Sequence, residues 1–369
     1  WTATVETAAF YPAVENIETQ PNGKFLITGT FEAFDGTAAP GIAQLNDDGS
    51  VDSSFVALVQ RDKRSRVASA FKAQPDGSFL LSGPYIVNGE STARSLIRLV
   101  PLAPNVGNIS TRLAVGTGDN ALIEGFIVQG PAGSSKKILV RAIGPSLAQF
   151  GIPDALSNPV LEIHDAGGAT VATNNDWKTT QIGGLIAGNQ FAEINGSGLA
   201  PTDDLESAIV ADLAPGSYTA VVRGVGNTAG TGVVDAFDLA PGSAARLANI
   251  ATRGLVQPGD GLMIGGFIVQ NGPLQVVVRA IGPSLVPFGI PNALPDTTLQ
   301  LRDQQGALVL ENDDWRSSQE QQLINLGLQP SDDLEAALVA TLQPGQYTAQ
   351  VRGKGQAAGI GVVQVYFTQ

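Results

Sequence analysis

Two arginines in apolar surroundings and two oxygen-rich turns are the features of this sequence that come nearest to chemistry. Arg141 and Arg279 stand inside the runs Ile138–Ile143 and Val276–Ile281. On a strand period of two, Leu139, Arg141 and Ile143 share one face. A guanidinium drawn into an apolar face needs a carboxylate partner. The repeated pairs Asp203–Asp204 and Asp332–Asp333 are the expected partners, in ion pairs that orient a loop. Ligand binding at the arginines is the alternative.

Calcium takes six to eight oxygens from clustered loops. Asn174, Asn175, Asp176, Asp203, Asp204 and Glu206 form one candidate set, and Asn312, Asp313, Asp314, Asp332, Asp333 and Glu335 form a second. No other cofactor is expected, and the metal content is left open. The sequence holds no contiguous EF-hand loop, and Asx turns bonding their own backbone account for the same residue types. Trp177 and Trp315 follow these turns. Exposed, they would stack on a sugar ring; buried, they would close one end of a sheet.

A Ser-His-Asp triad would have to use His164, the one histidine. It lies in an alternating strand, and its counterpart in the second copy described below is Arg302. Gly144-Pro145-Ser146-Leu147 is not the Gly-x-Ser-x-Gly elbow. With no cysteine, thiol catalysis, disulfides and cysteine-held metals are excluded. No catalytic residue is assigned, and no enzymatic activity is expected.

The formal net charge of −13 disfavours nucleic acid and anionic membrane surfaces as partners. No apolar run approaches the roughly 20 residues of a membrane helix, so no transmembrane segment is expected. Abundant Gly and Pro, sparse charge and short apolar runs point to an all-β chain. The start at Trp1 reads as a processed piece of a secreted precursor.

The elements that position these residues come as repeats. Gln20-Pro21-Asn22-Gly23-Lys24-Phe25-Leu26-Ile27-Thr28-Gly29 returns 54 residues later as Gln74-Pro75-Asp76-Gly77-Ser78-Phe79-Leu80-Leu81-Ser82-Gly83. Each unit reads as a turn, an apolar strand, a Gly and a second strand. A longer repeat follows. Asn108–Arg112 matches Asn249–Arg253 at an offset of 141, Val140–Leu147 matches Val278–Leu285 at 138, and Asp203–Glu206 matches Asp332–Glu335 at 129. Pro101–Pro104 and Ala240–Ser243 read as linkers. Three domains result, over 1–104, 105–242 and 243–369. About eight short strands per long copy suit a two-sheet sandwich. Gln181–Ala187 and Glu320–Leu326 hint at helical turns. Tyr218 and Tyr347, after Pro-Gly-x, should lock a corner by returning their hydroxyls to the backbone.

The first 100 residues resemble the delta-60 repeat of bacterial secreted proteins, through Gln20–Lys24 and the closing Asn46-Asp47-Asp48-Gly49-Ser50-Val51-Asp52-Ser53-Ser54-Phe55. That resemblance implies an incomplete propeller-like array, since propellers take 4–8 blades. The long repeats resemble the C-terminal modules of Verrucomicrobia-type secreted proteins. More distantly, they resemble bacterial pre-peptidase C-terminal sandwiches.

The expected function is an extracellular structural one: a self-assembling subunit of a bacterial surface fibre or adhesive layer, joined to copies of itself through sheet edges. Trp1, Val5 and Phe10 mark the strand expected to pair with a neighbouring copy. The alternative is a polysaccharide-binding or spacer region of a large secreted protein.

Overall fold

The computed structural model of the chain divides into two compact units, Trp1–Leu102 and Ala103–Gln369. It describes residues 5–6, 13–20, 24–52, 59–61, 70–74, 78–87, 92–99, 103–118, 120–179, 183, 185–186 and 188–368. Nearly all regular structure among them is β, as the composition predicts. No helix among them is long and apolar enough to cross a membrane.

The N-terminal unit carries β1 (Val5–Glu6), β2 (Val14–Thr19), β3 (Phe25–Gly29), β4 (Ala33–Phe34), β5 (Thr37–Ala38), β6 (Ile42–Leu45), β7 (Val59–Arg61), β8 (Ala70–Ala73), β9 (Phe79–Val87) and β10 (Ala93–Leu99). The 54-residue repeat is visible as two antiparallel three-stranded meanders, β2-β3-β6 and β8-β9-β10. The turns between their first two strands close through Gln20 N–H to Lys24 C=O (2.8 Å) and Gln74 N–H to Ser78 C=O (2.7 Å). Leu26 and Ile42 of the first meander pack on Phe79, Leu81 and Tyr85 of the second.

The expected assembly strand is corrected here. Val5 pairs with Phe34 of the same chain, and Val14 with Gly29. Each of these strands ends its sheet, so the pairing within the chain takes up one side of it. Trp1 and Phe10 lie outside the described residues.

The first long copy supplies β11 (Asn105–Val115), β12 (Leu122–Gln129), β13 (Lys136–Ile143), β14 (Pro159–His164), β15 (Thr170–Asn174), β16 (Ser207–Leu213), β17 (Gly216–Gly224) and β18 (Gly230–Asp238). The second supplies β19 (Arg246–Val256), β20 (Met263–Gln270), β21 (Leu274–Ile281), β22 (Thr297–Asp303), β23 (Leu308–Asn312), β24 (Ala336–Leu342), β25 (Gly345–Gly353) and β26 (Gly359–Thr368). Each copy is a sandwich of four strands on four. The two sandwiches are fused side by side, because β11 pairs with β20 and β12 with β19. Two continuous eight-stranded sheets result, ordered β16-β13-β18-β11-β20-β25-β22-β23 and β15-β14-β17-β12-β19-β26-β21-β24. Exchanging each strand for its counterpart in the other copy turns one order into the other read backwards. The unit therefore has a pseudo-twofold axis, and the two repeats share one body rather than standing apart at Ala240–Ser243.

Alternation explains the burial. In β12, Leu122, Glu124, Phe126 and Val128 point inward, and the residues between them are less buried. One hydrophobic core runs through both copies, from Val106 to Phe367. Tyr218 and Tyr347 donate their hydroxyls to the Ala214 and Gln343 carbonyls at 3.0 Å, forming the two corners. Their rings stack on Phe126 and Phe267 at 5.8 Å. The helical turns are α1 (Phe191–Gly196) and α2 (Glu320–Asn325). The second agrees with its expected position. The turn expected over Gln181–Ala187 falls largely outside the described residues, and α1 begins at Phe191.

Candidate functional site

The buried glutamates that the sequence repeats hold the same loop in both sandwiches. Glu206 and Glu335 are fully buried. Glu206 Oε1 accepts the N–H groups of Gly144 and Ser146 and the Ser146 hydroxyl, at 3.0, 3.1 and 2.5 Å. Glu335 Oε1 does the same with Gly282 and Ser284, at 2.9, 3.0 and 2.6 Å. This accounts for the Gly-Pro-Ser-Leu motif: its backbone wraps a carboxylate. Only glycine fits its first position, where a Cβ on Gly144 would stand 2.1 Å from the Leu156 carbonyl oxygen.

The Arg141 partner is corrected. Its Nε and Nη2 form a fork with Asp235 at 2.9 and 2.7 Å, its Nη1 donates to the Leu199 carbonyl, and its Cζ lies 4.7 Å from the Phe237 ring centroid. Burial raises the Asp235 carboxyl above the usual range, and the Arg141 bonds and charge oppose that. Arg279 occupies the counterpart niche without a carboxylate. It donates to Gln364 Oε1 (2.9 and 2.5 Å), the Tyr366 hydroxyl (2.9 Å) and the Leu328 carbonyl (3.0 Å). Gln364 and Tyr366 stand 129 residues after Asp235 and Phe237.

The paired aspartates serve their own loops instead. Asp203 and Asp332 accept the N–H groups of Leu205 and Leu334, each at 2.9 Å. Asp204 pairs with Lys178 at 2.5 Å, and Asp333 with Arg316 at 2.5 Å. Strand order is the reason. β18 lies directly beside β13, so Asp235 faces Arg141 across one ladder step, at the register Arg141–Asp235.

The calcium sets are taken apart in the same way. Asn174 and Asn312 accept the N–H groups of Ala208 and Ala337 at 3.0 and 2.9 Å. Gln190 and Gln319 each bond both backbone groups of one edge residue, Val210 (2.6 and 3.0 Å) and Val339 (2.8 and 2.9 Å). These amides cover the outward margins of β16 and β24. Of the proposed ligands, Asp313 and Asp314 join a cluster that could hold a metal, with Asp296, their oxygens within 4.8 Å of one another. One buried oxygen of each lacks a partner. Lys354 Nζ stands 2.6 Å from Asp313 and 3.7 Å from Asp296. Burial raises the Asp296 carboxyl, with Lys354 opposing. The first copy has Asn158, Asn175 and Asp176 at the corresponding places and Val225 in place of Lys354. The oxygen-bearing residue shared by positions 158 and 296 was the sequence signal for this cluster.

Trp177 and Trp315 are 4% and 2% exposed and donate their indole N–H groups to the Asp203 and Asp332 carbonyls. They close sheet ends and offer no free face for a sugar. His164 contacts Glu162 (3.1 Å), the Gly168 carbonyl (3.3 Å) and the Thr170 hydroxyl (3.4 Å). Ser146, the serine of Gly-Pro-Ser-Leu, gives its hydroxyl to Glu206.

Residues 20–55 match the family described as a domain of unknown function (DUF5122) with β-propeller character. No curated protein matches the chain. Among solved structures, a DUF4785 family protein from Legionella pneumophila aligns with 73% of this chain and 82% of its own, at 9% identity and a TM-score of 0.20. Tripeptidyl peptidase 2 aligns with 96% of this chain and 32% of its own, at 10% identity and a TM-score of 0.14. Scores this low leave the architecture to be argued from the sheets themselves. The family match, confined to the first meander and its closing turn, is what the chain is similar to at sequence level.

Proposed function

We propose that this chain is an extracellular structural module that assembles with copies of itself through sheet edges, as part of a surface fibre or adhesive layer. One observation carries the reading. The repeated polar side chains of the C-terminal unit hold turns, corners and sheet margins in place: Glu206 and Glu335 fix the Gly-Pro-Ser loops, and Gln190 and Gln319 cover β16 and β24. Edge-to-edge pairing also joins the two copies within the chain, so the fold supplies the mode of contact that assembly would extend.

Negative-stain imaging of the purified chain tests this. Filaments or defined oligomers are the expected result. Uniform single particles at every concentration would overturn the reading and favour a spacer region instead.

A further inference from the structure

The two sandwiches differ at one sheet margin. The offset between the copies falls from 138 at Asp176/Asp314 to 129 at Asp203/Asp332, so nine residues of the first copy, about 181–189, have no counterpart in the second. In the first copy its described residues Gly183, Leu185 and Ile186 lie along edge strand β15. Leu185 N–H donates to the Val171 carbonyl at 3.3 Å, and Ile186 packs on the core with Val171. Gly183 approaches so closely that a Cβ there would stand 2.4 Å from Ala172 Cα.

The counterpart edge is β23, with Val309 in the place of Val171. β23 ends its sheet, and Leu308, Val309 and Leu310 are 46%, 38% and 37% exposed. Consecutive apolar residues on an edge without a neighbour recruit another strand.

We infer that β23 is a homotypic docking edge, pairing antiparallel with β23 of a second copy about a twofold axis at Val309. The inference rests on the self-assembly reading above and names its contact. Two observations favour a second copy of this chain as the occupant. The chain already joins its repeats by antiparallel edge pairing, β11 on β20 and β12 on β19. The strand is also self-complementary in the register centred on Val309. There Leu308 meets the second copy's Leu310 twice, Val309 meets its own mate, and Glu311 falls opposite Ala307, so no like charges face each other.

Sedimentation velocity of the full chain over a concentration series tests the contact, using wild type, Val309→Lys, Val309→Glu and an equimolar mixture of the two variants. Like charges placed directly opposite should weaken association of each variant roughly tenfold or more, and the mixture should restore it. In dilute samples, where wild type is monomeric, both variants should keep its thermal midpoint, because Val309 is a surface residue. Wild-type association that neither charge weakens would overturn the β23 contact and leave self-assembly standing. Weakening without rescue in the mixture would overturn the twofold register. A wild type that stays monomeric throughout would overturn both the contact and the reading beneath it.

Discussion

The hydroxyls of Thr111 and Thr252 meet at 2.6 Å in the buried centre of the C-terminal unit. The two residues are counterparts, 141 apart in the sequence, so this hydrogen bond marks the pseudo-twofold axis. It links β11 in one sheet to β19 in the other, at the seam where the two sandwiches fuse.

Replacing one threonine by valine strands the other hydroxyl in the core, at a cost of about 1–3 kcal/mol. Replacing both removes donor and acceptor together at nearly constant volume, which should be close to neutral. Urea unfolding of Thr111→Val, Thr252→Val and the double variant is expected to show the double as more stable than the sum of the singles implies.

Glu124 lies beside this pair, fully buried, with no hydrogen-bond partner for either carboxyl oxygen. Burial first, and the Asp235 charge second, push its carboxyl well above the usual range. The folded chain therefore keeps a proton that the unfolded chain releases above about pH 4.3. The unfolded state then binds fewer protons, so stability falls as pH rises, by up to about 1.4 kcal/mol per pH unit until Glu124 itself ionises. Glu124→Gln should match wild type near pH 4 and exceed it at pH 8, as read from denaturation midpoints. The second copy has Gly265 at this position, so the fold does not require the acid.

Lys136 and Asp238 form an ion pair at 2.5 Å with both side chains 1% exposed. Their counterparts are Leu274 and Phe367, both in the core. The chain thus contains both solutions to one packing problem. Lys136→Leu or Asp238→Phe alone should cost about 3–5 kcal/mol by leaving one charge buried and unpaired. The double variant should recover most of that loss or exceed wild type. Chemical denaturation of the three variants distinguishes these outcomes.

Gln319 covers the β24 margin through its two bonds to Val339. Gln319→Ala should cost about 1–3 kcal/mol and expose an edge that recruits other chains. Light scattering on heating should then rise earlier than in wild type. Gln190→Ala should behave alike at Val210.

Much of the fold is legible in the residues. Period-two alternation marks β12 and β14, and Asp165–Gly168 marks the turn into β15. The Pro-Gly-x-Tyr motif marks both corners, because each depends on neighbours close in sequence. Strand order is not written locally. The sequence therefore points Arg141 toward the conspicuous Asp203–Asp204 pair, when Asp235 stands one ladder step away on β18. Gln190 and Gln319 carry no signal of their own, since a glutamine covering an edge looks like any polar surface residue. The Asp296–Asp313–Asp314 cluster joins residues from separate turns and needed the repeat alignment to emerge.

Assembly is proposed to run through β23, an end strand that has no further neighbour among the described residues. Backbone hydrogen exchange, read strand by strand in dilute and concentrated samples of the full chain, tests it most directly. The outward-facing amide of Val309 should exchange quickly when dilute and become protected on concentration, while β15, β16 and β24 stay protected throughout. Unchanged exchange at β23, or protection that appears with concentration at another margin, would contradict it.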